Sequence, residues 1–261
     1  VSSCIDLFIK PGYPGVGRLF DGVDIDWEFP APADYHNLTL LLQEFRQQLD
    51  QTGFADERQL FLTAASGDGS ESGLELSSLA TTLDWVNLMA YNAHRAGTDS
   101  HNKFTDFGAP LYPSPAEPTS NVTWNVDSVV KAFLQAGLPA QRLVLGVSGY
   151  GRSYAGVADI NHGLYQTYSG AGPGDAGGAS GALTYNEIAN QYLFSSDYSW
   201  FLDKITSSAY LYSPTQHVWI SYEDPTPVVT KSVYAIQARL AGLMLWDVSA
   251  DTPSGASTSP V

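Results

Sequence analysis

The chain is short of cysteine, of methionine and of base. Its 261 residues include one Cys, two Met and 12 Lys or Arg against 27 Asp or Glu, a formal net charge of −15. A lone cysteine, Cys4, excludes an internal disulfide framework and is either a buried thiol or the partner of a cysteine that is not in this chain. The scarcity of base argues against nucleic acid and anionic membrane surfaces as partners, because both bind through clustered Lys and Arg. No run approaches the ~20 apolar residues of a membrane span, and no signal peptide is visible. The five histidines lack an H-E-x-x-H or other paired-ligand spacing, so neither a metal nor a cofactor is implied. Two apparent motifs also fail. Gly172-Pro-Gly174-Asp-Ala-Gly177 has dinucleotide-type spacing without a preceding strand or a following helix, and in Gly146-Val-Ser148-Gly the closing glycine of a nucleophile elbow is replaced by Tyr150.

What the chain does have is apolar mass, aromatic rings and a concentration of acid. Hydrophobic residues make up 44%, ample for one or two domains with a core. The six Trp and fifteen Tyr serve both that core and, as flat rings with polar edges, the stacking of sugar rings. Two glycosylation sequons, Asn37-Leu-Thr39 and Asn121-Val-Thr123, favour a secreted, extracellular protein. The chain opens on Val1 rather than Met, so an upstream segment is expected.

The acid is concentrated in Asp21-Gly-Val-Asp24-Ile-Asp26-Trp-Glu28-Phe-Pro30. Read as a strand over about 19–27, this run puts Asp24, Asp26 and Glu28 on one face, roughly 6.5 Å apart in succession. Val23, Ile25 and Trp27 take the other face and are expected to pack against apolar neighbours. Like charges so close oppose folding unless a ligand or a shared proton relieves them. A solvated acidic face, a calcium site and carboxylate acid–base catalysis are the three readings. Calcium would want ligands spread around a turn, whereas catalysis needs one acid kept protonated by ionised neighbours.

Around this run the chain alternates strand and helix. A short amphipathic helix opens it, with Val1, Cys4, Ile5 and Phe8 at helical spacing, and a Gly/Pro turn follows at 11–17. Pro30 and Pro32 end the acidic strand. Asp34 is placed to cap a helix over about 35–50, with Leu38, Leu41, Leu42, Phe45 and Leu49 as its apolar stripe. Strands are expected at 60–66, 84–91, 143–147 and 243–248, and helices near 73–82, 126–136 and 226–240. A polar, Pro-rich loop occupies about 92–124. Such βα units imply an α/β fold with a parallel sheet. The rhythm breaks between about 152 and 218, which reads as a small α+β insertion.

Asp21-x-x-Asp24-x-Asp26-x-Glu28 resembles the DxxDxDxE signature of the glycoside hydrolase family 18 chitinases. "NLMAYN" (87–92), "LVLGVSGYGRSY" (143–154), "ALTYNEI", "AYLYSP", "VWISYEDP" and "GLMLWDVSADT" are similar to later landmarks of that family, in the same order. The resemblance implies a TIM (β/α)8 barrel, here incomplete and covering about strands 4–8. Residues 1–151 and 219–251 would be the partial barrel, 152–218 a chitinase insertion domain, and 252–261 a Ser/Thr/Pro-rich tail. It further implies hydrolysis of β-1,4 bonds of chitin or chitooligosaccharides by a retaining, substrate-assisted mechanism. In that scheme Glu28 is the general acid, Asp26 orients the substrate acetamido group, Asp24 shares a proton or hydrogen bond with Asp26, and Tyr91 binds the acetamido oxygen. Met89, Asn92, Tyr150 and Trp246 line the sugar site, and the protein acts as a monomer. The family usually has Asp where Asn92 stands. Asp21 falls on the other face and reads as structural. The rival readings are an endoglycosidase acting on N-glycans, a non-catalytic chitin-binding lectin, and an inert fragment on the same scaffold.

Overall fold

Pairing between neighbouring strands follows chain order. In the computed structural model, which describes residues 1–10, 19–67, 75–96, 103–118, 124–174, 178 and 180–252, five strands form one sheet. They are β1 (Gly22–Ile25), β2 (Phe61–Ser66), β3 (Trp85–Leu88), β4 (Leu143–Ser148) and β11 (Gly242–Trp246), in the order β1-β2-β3-β4-β11. The pairs β1·β2, β2·β3 and β3·β4 are parallel. Parallel neighbours need a crossover between them. The helix Tyr35–Ala55 supplies one between β1 and β2, burying Leu38, Leu42, Phe45 and Leu49 at three- and four-residue spacing. The helix Leu76–Thr82 lies between β2 and β3, and Val126–Gln135 between β3 and β4.

The six remaining strands are antiparallel. They are β5 (Tyr150–Ala155), β6 (Gly170–Ala171), β7 (Ala182–Thr184), β8 (Ser199–Asp203), β9 (Ser208–Ser213) and β10 (Val218–Tyr222). Their order is β6-β5-β10-β9-β8, with β7 also paired to β5. Every residue of β9 and β10 is buried, so both faces of this sheet are covered and the two-residue period sorts their side chains. Leu211, Ile220 and Tyr222 join Leu183, Tyr185 and Ile188 on one side. Tyr210, Tyr212 and Trp219 join Phe107 and Tyr154 on the other. A capping box at Thr184 and Glu187 starts the short helix Tyr185–Glu187.

The chain divides into two units, one of 1–89, 130–145 and 238–242, the other of 90–129, 146–237 and 243–261. The sequence places most element boundaries within two or three residues, and three local expectations change. The acidic strand stops at Ile25, where pairing with Ala64 ends. Beyond it Trp27 and Phe29 are 37% and 56% exposed, not packed, because β1 pairs only with β2 among the described residues. The opening segment is helical, but Ser2–Cys4 gives way to a π-turn over Ile5–Ile9. The wider turn buries Ile5 and Ile9 and leaves Phe8 exposed. Asp34 stands at the head of its helix, yet its carboxylate accepts from the Asn37 side-chain amide at 3.1 Å rather than from a backbone N–H. The Gly/Pro turn at 11–17, the sequon at Asn121 and the tail beyond Thr252 lie outside the described residues.

Candidate active site

The geometry of the first unit's acids starts from a glycine. Gly22 lies opposite Phe61, and a Cβ there would come within 2.2 Å of the Phe61 carbonyl oxygen. Only glycine permits β1 to approach β2 so closely. Phe61 N–H then bonds the Asp21 carbonyl at 2.8 Å, and the register sets Asp24 opposite Thr63. Asp21 thus works through its main chain, while its side chain faces solvent 3.7 Å from the Arg58 guanidinium.

Asp24 Oδ1 accepts from the Thr63 hydroxyl and, at 3.1 Å, from the Asn87 amide on β3. The Trp85 indole N–H bonds Asn87 Oδ1 at 3.1 Å, which turns the amide so that its NH₂ group meets Asp24. Trp85 and Asn87 share the half-open face of β3, while Val86 and Leu88 are buried on the other. The expected hydrogen bond between Asp24 and Asp26 is not among those of the described residues; Asp24 is held by Thr63 and Asn87 instead. Sequence reading assigned neither of these two a role. Asn87 carried a signal, since it lies one strand period before Met89.

Asp26 and Glu28 follow on the irregular run after β1, both exposed. Desolvation raises the Glu28 carboxyl above its ordinary value, and Asp26 adds to the rise through its charge and a hydrogen bond. Both causes disfavour the ionised form of Glu28, the direction a general acid needs. Met89 is half-buried just past β3, its N–H on the Ser66 carbonyl at 2.8 Å.

The second unit gathers the aromatic candidates. Tyr91 is buried, and its ring meets that of Tyr150 edge to face at 6.1 Å. Asn92 adopts a left-handed backbone, φ 66°, a conformation that Asn tolerates better than most residues. Its Oδ1 accepts from both Nε and Nη2 of Arg152, at 3.0 and 2.6 Å. The same guanidinium lies 4.9 Å from the centre of the Tyr150 ring. Burial raises the Tyr150 hydroxyl above its usual value, with Arg152 opposing. Arg152 is a further residue without a role in the sequence reading, although it stands two positions after Tyr150 on the same face of β5. Trp246 ends β11 at 53% exposure, with its carbonyl accepting from Gly149 N–H at 2.7 Å, next to Tyr150. Tyr91, Asn92, Tyr150 and Trp246 thus lie in one unit, and Asp24, Asp26, Glu28 and Met89 in the other.

The chain as a whole is similar to known proteins. The model of glycosyl hydrolases family 18 matches residues 1–251. Chitinase A1 of Niallia circulans is 33% identical over 93% of this chain and 38% of its own length. Chitotriosidase-1 of Mus musculus is 32% identical over 90% of this chain and 50% of its own. A class V chitinase from Nicotiana tobaccum, solved in complex with NAG4, superposes with a TM-score of 0.78. It is 33% identical and covers 90% of this chain and 66% of its own. The chain therefore spans about half the length of the curated relatives it matches. Such relatives imply a TIM-barrel-like α/β fold, with which the parallel sheet and its crossover helices agree; the chain also carries an antiparallel sheet. With the acidic signature and a match over nearly all its residues, the chain belongs to glycosyl hydrolase family 18.

Proposed function

We propose that the protein is a chitinase that cleaves β-1,4 bonds between N-acetylglucosamine units with Glu28 as general acid. The observation that carries the reading is the raised pKa of Glu28 beside Asp26, within the acidic signature. A general acid must hold its proton near the working pH and still be able to release it, and partial desolvation and a carboxylate neighbour shift Glu28 in that direction. The substrate class follows from the relatives, one of which is solved with NAG4.

In this reading Glu28 protonates the glycosidic oxygen. The 2-acetamido carbonyl of the substrate attacks the anomeric carbon, giving an oxazolinium ion that water opens with retention. Asp26 receives the acetamido N–H and balances the developing charge. Asp24 stands behind it, held by Thr63 and Asn87. Tyr91 takes the acetamido oxygen, Met89 and Asn92 line the sugar, and Tyr150 and Trp246 supply apolar surface for its rings. The strands β1, β2, β3, β4 and β11 act as strands of a (β/α)8 barrel, and 152–218 as the chitinase insertion domain. The enzyme is secreted and works as a monomer without a cofactor.

A chitin-binding lectin on this scaffold is the second reading, and the presence of Glu28 favours the enzyme over it. The test is hydrolysis of soluble chitooligosaccharides by the wild type and by Glu28→Gln, with binding measured beside it. Turnover should fall by about 10²–10⁴-fold with affinity retained. Equal hydrolysis by the two proteins would remove Glu28 from the role, and binding without turnover in the wild type would favour the lectin.

A further inference from the structure

Besides the acids of β1, the structure holds a largely buried cluster that the proposed chemistry does not use. His94, Asp106 and Glu117 each bring one ligand atom to within 4.8 Å of the others, and His94 and Asp106 are both 2% exposed. We propose that these three residues bind a divalent transition-metal cation, of which zinc is the probe, as a structural clasp on the segment from His94 to Glu117.

The distances favour a shared ion over direct bonding. His94 Nε2 and Asp106 Oδ2 are 3.7 Å apart, too far for a hydrogen bond. Two ligands of a tetrahedral zinc, each about 2.1 Å from the metal, stand about 3.4 Å apart. The Asp106 carboxylate is already fixed, because its Oδ1 accepts from Phe107 N–H at 2.7 Å. Its Oδ2 is buried and, among the described residues, accepts no hydrogen bond. Charge points the same way. Glu117 and Asp203 both press negative charge on the buried Asp106, and a dication held by its carboxylate would offset that charge.

The donor set narrows the ion. One imidazole with two carboxylates suits zinc or manganese, whereas calcium and magnesium favour oxygen alone. Three protein ligands leave the fourth position of a tetrahedral ion to water, and the near-complete burial of His94 and Asp106 keeps a substrate from their side of it, so the ion would hold structure rather than do chemistry. The structure it would hold is pertinent to the site. His94 follows Asn92 by two residues, so a clasp there fixes the start of the segment carrying Tyr91 and Asn92. The ligands lie twelve and eleven residues apart, a spacing that matches no metal motif and explains why the sequence implied no metal.

The experiment strips the full chain with a chelator and titrates it with Zn²⁺ and with Co²⁺. Asp106→Asn and Glu117→Gln are compared with wild type, and His36→Gln controls for the exposed His36–Glu75 pair. One equivalent of metal should bind in wild type and in His36→Gln, cobalt should show visible ligand-field bands, and zinc should raise Tm by about 5 °C. Both carboxylate variants should lose the bands and the Tm response. If they fail to fold, the wild-type and His36→Gln titrations decide alone. A wild type that retains no metal and melts unchanged with zinc overturns the proposal, leaving a protonated Asp106 beside His94. Binding lost only in His36→Gln overturns it as well.

Discussion

Asp24 and Asn87 are 63 residues apart in the chain and 3.1 Å apart in space, joined from β1 to β3 across the width of β2. Thr63, on the strand between, bonds the same carboxylate oxygen. Three successive strands therefore meet on one atom, and the acid nearest the sheet is held by neutral donors rather than by a base.

Asn87→Leu keeps the approximate volume and removes both the donor to Asp24 and the acceptor for Trp85. Stability should fall by about 1–2 kcal/mol in urea, since the bond goes to a charged group but the site is open to water. On chitooligosaccharides, kcat should drop more than KM rises, because Asp24 acts on the reaction rather than on binding. Thr63→Val combined with Asn87→Leu should be non-additive. A strictly additive pair would mean that the two donors do not share one acceptor in solution.

The pH profile should respond to Asp26. Desolvation is the larger cause of the raised Glu28 pKa, and Asp26 the next. Asp26→Asn removes the charge that disfavours ionisation of Glu28, so its pKa should fall. The protonated acid is then lost at lower pH, and the alkaline limb of kcat/KM moves to the acid side. The size of the residual activity does not matter to this test; the direction of the limb does. An unmoved limb would leave local desolvation as the whole cause.

Asn92 should tolerate Asp and reject Ala. Alanine loses the fork to Arg152 and must still hold a left-handed backbone, at about 1–2 kcal/mol for the conformation alone. Asn92→Asp keeps the fork and turns it into an exposed ion pair, worth up to about 1 kcal/mol in its favour. Thermal melts of the two variants should fall on opposite sides of wild type or, for Asp, coincide with it. An Ala variant as stable as wild type would show that the fork is not maintained in solution.

Lys231 is fully buried, its ammonium on Glu223 and, at 2.8 Å, on the Ala109 carbonyl. Lys231→Met should cost about 3–5 kcal/mol, because it strands a buried carboxylate. Lys231→Met with Glu223→Leu should recover most of that loss, since the apolar pair leaves no charge behind. Urea denaturation of both variants measures it. A double variant no more stable than the single would place the cost in lost packing instead.

Much of this was legible in one dimension. The stripe of Leu38, Leu42, Phe45 and Leu49 declares its helix, the alternation of strand and helix declares a parallel sheet, and the spacing of Asp24, Asp26 and Glu28 declares linked carboxylates. These are properties of short stretches, set by the 3.6- and 2-residue periods of the backbone. The end of β1 at Ile25 was not legible, because a strand stops where its neighbour stops pairing, and that neighbour lies almost forty residues on. Thr63, Asn87 and Arg152 were missed for a related reason. Each is an ordinary polar residue whose role comes only from the group that register sets against it. His94, Asp106 and Glu117 are the extreme case, spaced as no motif is spaced and brought together by the folding of one long segment. Local sequence determines which residues can do acid–base chemistry, since that depends on side-chain type and strand period. Tertiary structure decided which of them has its pKa raised, because desolvation and neighbouring charge take their values only once the chain has folded.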